Sequence, residues 1–324
     1  MEEPARKAEW RSTIDLSIVI PAYNEEQNIP LLASQIKKAV DRLRKTYEII
    51  FIDDGSRDNT FAVLKRMHEL DPEHVHIIRM RKNFGQTAAF DAGFKHARGK
   101  IIITMDADLQ NDPEDILLLL NKMKEGYDVV SGWRWQRKDP FSKKMLSKFA
   151  NLLRRIVTKE NIHDSGCSLK AYKRECFSDL NLYGEMHRYI PAILQWKGFR
   201  IGEVKVHHRQ RKYGKTKYSF SRVLKGFLDL LVVKFWMQYS SRPMHLFGTI
   251  GIFSFLLGII TSIYLTIMKF LYHQSLANRP LLLLAILLMI MGIQFIIFGF
   301  LGDMLMKIYY DRREESNYNI KQVL

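Results

Sequence analysis

The sequence predicts an α/β catalytic domain with a mainly parallel sheet, followed by a membrane hairpin. Three observations carry that expectation. From Leu16 to Ser131, short β-branched apolar runs alternate with helix-period segments. Three of those runs end in polar clusters: Pro21-Ala-Tyr-Asn-Glu25, Asp53-Asp-Gly-Ser56 and Asp106-Ala-Asp108. Near the C-terminus, Met244–Met268 and Leu281–Gly302 carry no Asp, Glu, Lys or Arg over about 25 and about 22 residues, each enough to span a bilayer.

The apolar runs predict strands at Leu16–Pro21, Tyr47–Asp53, Val75–Arg79, Ile101–Met105 and Tyr127–Ser131. Helices are expected between them, at about Ile29–Leu43, Thr60–Leu70, Gln86–Ala97 and Pro113–Lys124. Asp112 followed by Pro113 and first-turn acids is a favourable helix start. Near-continuous apolar strands imply a sheet covered on both faces, and ligands then collect beyond the C-terminal strand ends. Asp106 and Asp108 leave an extended segment on one side, so two hard oxygen anions can face one ligand. Such a pair suits Mg²⁺ or Mn²⁺ carrying a diphosphate, although Asp-x-Asp taken alone is more often a pair of solvated loop acids. Asp53-Asp54-Gly55-Ser56 reads both as a turn and as a ligand-facing edge, with Asp53 the more structural member.

The formal charge of +16 points to an acidic partner: nucleic acid, anionic lipid or phosphorylated substrate. The chain shows no nucleic-acid-binding pattern around its basic segment, and its apolar stretches favour a membrane. Cys167 and Cys176 give neither a disulfide framework nor a metal set and are expected as reduced, buried thiols. Residues 1–14 are expected as a mobile polar tail, not a signal peptide.

Ser17-Ile-Val-Ile-Pro-Ala-Tyr-Asn-Glu25, Ile52-Asp-Asp-Gly-Ser56, Arg81-Lys-Asn-Phe-Gly-Gln86 and Met105-Asp-Ala-Asp-Leu-Gln110 together resemble family-two glycosyltransferases. The likeness is to the polyprenyl-phosphate branch, which includes dolichyl-phosphate mannose synthase and bacterial glucosyl and aminoarabinosyl transferases. It implies a Rossmann-like glycosyltransferase-A catalytic domain. Carried over position by position, it implies nucleotide-sugar contacts from Pro21, Ala22, Tyr23, Glu25, Asp53, Asp54, Gln86 and Asp106. It implies a metal, Mg²⁺ or Mn²⁺, held by Asp106, Asp108 and Gln110. Arg134, at the family's Gly-x-Arg position, is expected near the phosphates, where a guanidinium suits bidentate contact. Asp164, near the acceptor, is the candidate base. A phosphate monoester is already largely anionic at neutral pH, with a second pKa of about 6, so Asp164 is alternatively an orienting group. Asp108, Asp164 and Arg134 are the expected catalytic set.

His207 to Phe220 matches the family's mobile phosphate-binding segment, with Thr216 in place of the usual Ser. Arg209, Arg211, Lys215 and Lys217 are expected to neutralise donor diphosphate and lipid phosphate. His207 and His208 read as structural. Residues 141–157 and 218–242 have amphipathic patterns with basic flanks, expected as interfacial helices. The expected divisions are a catalytic domain at 15–217, a juxtamembrane helix at 218–242, a hairpin at 243–303 and a tail at 304–324. Lys/Arg-rich flanks place both termini in the cytosol. Gly248, Gly251 and Gly258 offer sites for helix packing or homo-oligomer contacts.

The expected reaction is inverting transfer of a sugar from a nucleotide diphosphate donor to polyprenyl phosphate at the cytosolic membrane face. UDP-glucose is the first expectation for the donor, with GDP-mannose and a dolichyl-phosphate mannosyltransferase second. A processive polysaccharide synthase would carry Gln-x-x-Arg-Trp and more spans. Transfer to a ceramide or protein hydroxyl would need a committed base. An inactive membrane scaffold or transport subunit is the alternative of another class, and the intact Asp-x-Asp argues against it.

Overall fold

The computed structural model describes residues 14–135, 162–209 (apart from 179, 181, 183 and 185), 242–313 (apart from 274 and 276–279) and five positions between 232 and 239. The expected N-terminal tail, the 141–157 helix, Arg211, Lys215, Lys217, most of 218–242 and the last residues of the tail lie outside the described residues. The chain divides into two compact units, Met1–Val233 and Lys234–Leu324.

In the first unit β1 (Leu16–Ala22) and β2 (Tyr47–Asp53) are buried almost throughout, the burial expected of parallel strands covered on both faces. They pair in register from Leu16↔Tyr47 to Ala22↔Asp53, so their chemistry-bearing ends lie side by side. β3 (Val75–Arg79) flanks β2, and β4 (Ile101–Thr104) runs parallel on the other side of β1. Two polar side chains interrupt the apolar strands. Ser17 donates to Glu48 at 2.6 Å, and Glu48 also accepts from the Arg98 backbone N–H and guanidinium, so burial leaves neither unsatisfied.

The helices follow the predicted order. α1 (Ile29–Asp41) carries a proline in its first turn and buries Ile29, Leu32, Ala33, Ile36, Ala39 and Val40. α2 (Thr60–Leu70) packs beside β3, and α3 (Gln86–His96) lies against β1 and β2. The approach of α3 is close: a Cβ on Gly93 would stand 2.3 Å from Val19 Cγ1. That contact carries the N-terminus of α3 to the strand ends. A 3₁₀ turn at Pro113–Asp115, where Asp112 accepts the Glu114 N–H as the predicted cap, leads into α4 (Ile116–Met123).

The sheet order is β3-β2-β1-β4-β6-β5-β7, with β5 (Val129–Arg134), β6 (Lys170–Lys173) and β7 (Ile201–Val206) completing seven strands. β6 is antiparallel and sits between β4 and β5, which separates two strands that the sequence pattern places in succession. Its four residues, Lys-Ala-Tyr-Lys, show no apolar run, and only tertiary pairing makes them a strand. β5 also runs three residues further than expected, to Arg134, because β7 pairs with it up to Val206. A short α5 (Ile190–Trp196) precedes β7.

The second unit holds α6 (Pro243–Phe270) and α7 (Pro280–Arg313). Their apolar cores have mean hydropathies of 2.2 and 2.9, and most of those side chains are exposed, an apolar surface suited to lipid. Small residues let the helices touch. A Cβ on Gly251 would stand 2.7 Å from the Gly292 carbonyl, and one on Gly258 2.8 Å from that of Ala285. Gly248 instead faces Met244 of its own helix. α7 continues past residue 303, where the apolar stretch ends but helix-forming side chains do not.

Candidate active site

The C-terminal ends of β1 and β2 are laced together. The Asn24 N–H donates to Ser56 Oγ at 3.0 Å, the Arg57 N–H to Asn24 Oδ1 at 2.8 Å, and the Glu25 N–H to Thr60 Oγ1 at 2.8 Å. Pro21 and Ala22 end β1, and Tyr23 and Glu25 follow half-buried, so these four predicted residues share one edge. Gly55 is irreplaceable in this turn: its φ is +68°, and a Cβ would lie 2.4 Å from the Lys82 carbonyl carbon. A cleft of about 270 Å³ opens beside it, lined by Gly55, Ser56, Arg79, Met80 and Arg81.

The two acids of this turn have separate tasks. Asp53 is fully buried; it accepts the Ser56 N–H at 2.9 Å and faces Arg79 at 3.7 Å. In this structure it caps the turn through one oxygen, which agrees with its being the more structural member of the pair. Asp54 accepts the backbone N–H groups of Phe84 and Gly85 at 2.7 and 2.9 Å, which ties β2 to the loop entering α3. Burial pushes the Asp54 carboxyl up, and the two amides oppose that shift.

At the end of β4, Gln86 from the first turn of α3 donates its amide to Asp106 at 2.7 Å. Gln86 thus positions a carboxylate in this structure, where the sequence reading had it touching nucleotide. Burial, followed by the charge of Asp108, pushes the Asp106 carboxyl up. Asp108 accepts the Gln110 N–H at 3.1 Å across Leu109, whose φ of +62° turns the chain sharply after the pair. Gln110 is engaged through its peptide: its carbonyl accepts from the Arg209 N–H at 2.9 Å.

Two adjacent carboxylates that repel each other are the donor set a hard divalent cation relieves, so Asp106 and Asp108 fit a metal of the Mg²⁺ or Mn²⁺ kind. Among the described residues no third His, Cys, Asp or Glu completes a protein-only cage. The remaining positions suit substrate phosphates and water, the usual arrangement for Mg²⁺.

Arg134 and Asp164 meet. Nε donates to Oδ2 at 2.7 Å and the second guanidinium arm to Oδ1 at 2.8 Å, while the Arg134 N–H reaches Oδ2 at 3.2 Å. Burial opposes the charge on Arg134, but the hydrogen bonds and charge of Asp164 more than restore it. With its oxygens so occupied, Asp164 has the geometry of a positioning residue, the second of the two roles the sequence left open for it. Arg134 likewise presents a guanidinium already committed on one edge.

Arg209 is also committed. It pairs with Asp112 at 2.6 Å and donates to Gln35 at 2.8 Å, so it anchors its segment and is not presented to phosphate in this structure. His207 joins it, binding Asp115 through its N–H at 2.6 Å and its ring at 2.8 Å, and His208 bridges to Asn111. These contacts tie the backbone of both residues, and the ring of His207, to the 111–115 segment. Cys167 and Cys176 are buried free thiols pushed up by burial to about 11 and about 12.

One residue escaped the sequence reading. Lys170 on β6 is 4 % exposed, its ammonium donates to the Ser165 carbonyl at 3.1 Å, and burial pulls it down to about 8 against the raising influence of Cys167, Asp164 and Asp106. A lysine beginning an unrecognised four-residue strand offered no periodic signal.

The model of glycosyl transferase family 2 matches residues 17–180. The dodecaprenyl-phosphate galacturonate synthase of Rhizobium johnstonii is 38 % identical over 315 residues, covering 96 % of this chain and 93 % of that protein. Among solved structures, glucosyl-3-phosphoglycerate synthase from Mycobacterium tuberculosis with Mn²⁺ and UDP-glucose matches at TM-score 0.53 and 19 % identity, over 68 % of this chain and 79 % of that one. The same enzyme with Mn²⁺, UDP and phosphoglyceric acid gives 0.54 at 17 %, over 68 % and 78 %. Those two likenesses establish a shared fold, of the glycosyltransferase-A type. The family model and the near full-length relative establish more: the chain belongs to glycosyl transferase family 2, in its polyprenyl-phosphate branch.

Proposed function

We propose that the protein transfers galacturonate from UDP-galacturonate to a polyprenyl phosphate at a membrane surface, inverting the anomeric centre. The observation that carries this reading is the Asp106–Asp108 pair, held by Gln86 at the sheet edge where a nucleotide diphosphate would meet it. The donor sugar follows the relative named for galacturonate, at 38 % identity along nearly the whole chain, and takes the place of the expected UDP-glucose. The apolar pair α6 and α7 supplies a membrane anchor for an enzyme whose acceptor is a lipid.

Each part of the chain has a task. The laced turn of residues 22–28 and 54–60 forms the wall against which the nucleoside lies, and the cleft beside Gly55 has room for a pyrimidine. Asp106 and Asp108 would hold a divalent cation, which when bound offsets the charge that develops on the departing diphosphate. Arg134, fixed by Asp164, adds a positive charge close enough to be felt by Asp106. An acceptor phosphate oxygen attacks the anomeric carbon as the bond to the nucleotide diphosphate breaks, so no general base is required.

The test is incubation with polyprenyl phosphate, Mn²⁺ or Mg²⁺, and UDP-galacturonate, UDP-galactose, UDP-glucose or GDP-mannose, read by mass spectrometry. A uronosyl lipid that disappears with chelator is expected, and Asp108→Asn should lower turnover by at least about 10²-fold, as for loss of a charge-stabilising group. Calorimetry should show that Asp108→Asn also loses Mn²⁺-dependent UDP binding. A glucosyl or mannosyl lipid would overturn the donor. Donor hydrolysis without glycolipid would overturn the acceptor, and unchanged turnover in Asp108→Asn would remove the metal pair.

A further inference from the structure

Lys170 is an expensive residue to keep. Its ammonium is buried, and its one hydrogen bond among the described residues goes to a neutral carbonyl, that of Ser165, which leaves two N–H donors unused. A buried cation is ordinarily paired with a carboxylate, and a buried polar group without a partner costs free energy. Directly across the antiparallel pairing lies Ser131 on β5, fully buried, whose Oγ has no hydrogen-bond partner among the described residues. Paired residues of antiparallel strands point to the same face with Cβ atoms about 5 Å apart, so these two polar groups are neighbours. On the other flank Lys170 pairs with Thr104, two residues before Asp106. Two polar groups with unmet hydrogen-bonding capacity therefore lie side by side in the sheet, next to the strand that leads into Asp106.

We propose that Lys170, assisted by Ser131, is a subsite for an anionic oxygen of the donor. This rests on the proposed UDP-sugar function and deepens it. The oxyanion has two possible sources, the carboxylate of a hexuronate or an oxygen of the diphosphate, and both would fill the donors left open at Lys170. A carboxylate here would also make Lys170 the residue that separates a uronate from the corresponding neutral hexose. Rejection in the other direction follows as well, because a neutral sugar would leave the ammonium buried and unpaired.

The test measures binding of UDP, UDP-galactose and UDP-galacturonate, with Mn²⁺, to full-length wild type, Lys170→Gln and Lys170→Met by calorimetry. Turnover with the two sugars and thermal stability are read in parallel. Both variants should fold with a Tm at or above wild type, since each removes a buried charge that lacks a carboxylate partner. For a carboxylate source, UDP-galacturonate should bind roughly 10- to 100-fold more weakly, the loss of one charge-assisted hydrogen bond, with UDP and UDP-galactose unchanged. For a phosphate source all three should weaken by the same factor. Unchanged binding of all three in stably folded variants would overturn the subsite and leave Lys170 as a counter-charge for the acidic pair. Wild-type protein that binds none of the three would overturn the UDP-donor reading itself, and the subsite with it.

Discussion

The guanidinium of Arg134 and the carboxylate of Asp164 keep side-chain exposures of only 15 % and 8 %, so neither changes partner cheaply. Removing one member of such a pair strands the other and costs about 3–5 kcal/mol, whereas removing both costs less. Asp164→Asn and Arg134→Gln should each lower stability and turnover strongly. The double variant should be no worse in turnover than the poorer single one, because Asp164 acts by holding Arg134. A double-mutant cycle on kcat checks this. Additive losses would mean that Asp164 contacts the reacting atoms independently and would restore it as a base.

The strand end of β7 is fastened to the loop after Asp108 by His207 on Asp115, His208 on Asn111 and Arg209 on Asp112, so the basic segment begins beside the acidic pair. The hydrogen bond and charge of Asp115 hold the His207 imidazole above its ordinary range. A raised folded pKa means that the protonated form is favoured by the fold. Its contribution is full below the unfolded value of about 6.5 and is lost as pH rises through the folded value. His207 is largely exposed, so solvent screens the effect and it is small. The difference in Tm between wild type and His207→Gln should be greatest below about pH 6.5 and should shrink above it. A difference that grows with pH would show that the pair does not fasten this segment.

Across the whole chain, two apolar helices, each long enough to span a bilayer and joined by a short connection, predict an even number of crossings. The Lys and Arg residues that flank the two helices outside their connecting loop, among them Arg242, Lys307, Arg312 and Arg313, predict that this side faces the cytosol. Tags at the two ends should therefore both be cleaved by protease added to inverted vesicles, and neither in sealed cells. Protection of one tag alone would mean that only one of the helices crosses. The apolar exposure of α6 and α7 also predicts that the full chain requires detergent or lipid to remain dispersed.

Much of this molecule is local and was open to reading in order. β1 and β2 are continuous apolar runs because both faces are covered, and residues at their ends must then be the ones that reach solvent and ligand. The spacing of Asp106 and Asp108, the cap at Asp112 and the charge-free lengths of α6 and α7 belong to the sequence by itself, since each depends on residues a few positions apart. Tertiary structure alone decided the rest. β6 exists because β4 and β5 pair with it, and that insertion brings Lys170 beneath Asp106 from 64 positions away. Arg134 and Asp164 are 30 residues apart, and Arg209 and Gln35 are 174 apart, so no local pattern could reveal that these polar groups satisfy one another. A charged side chain's task depends on what the fold places within about 3 Å of it, and that distance is set by the packing of the whole sheet.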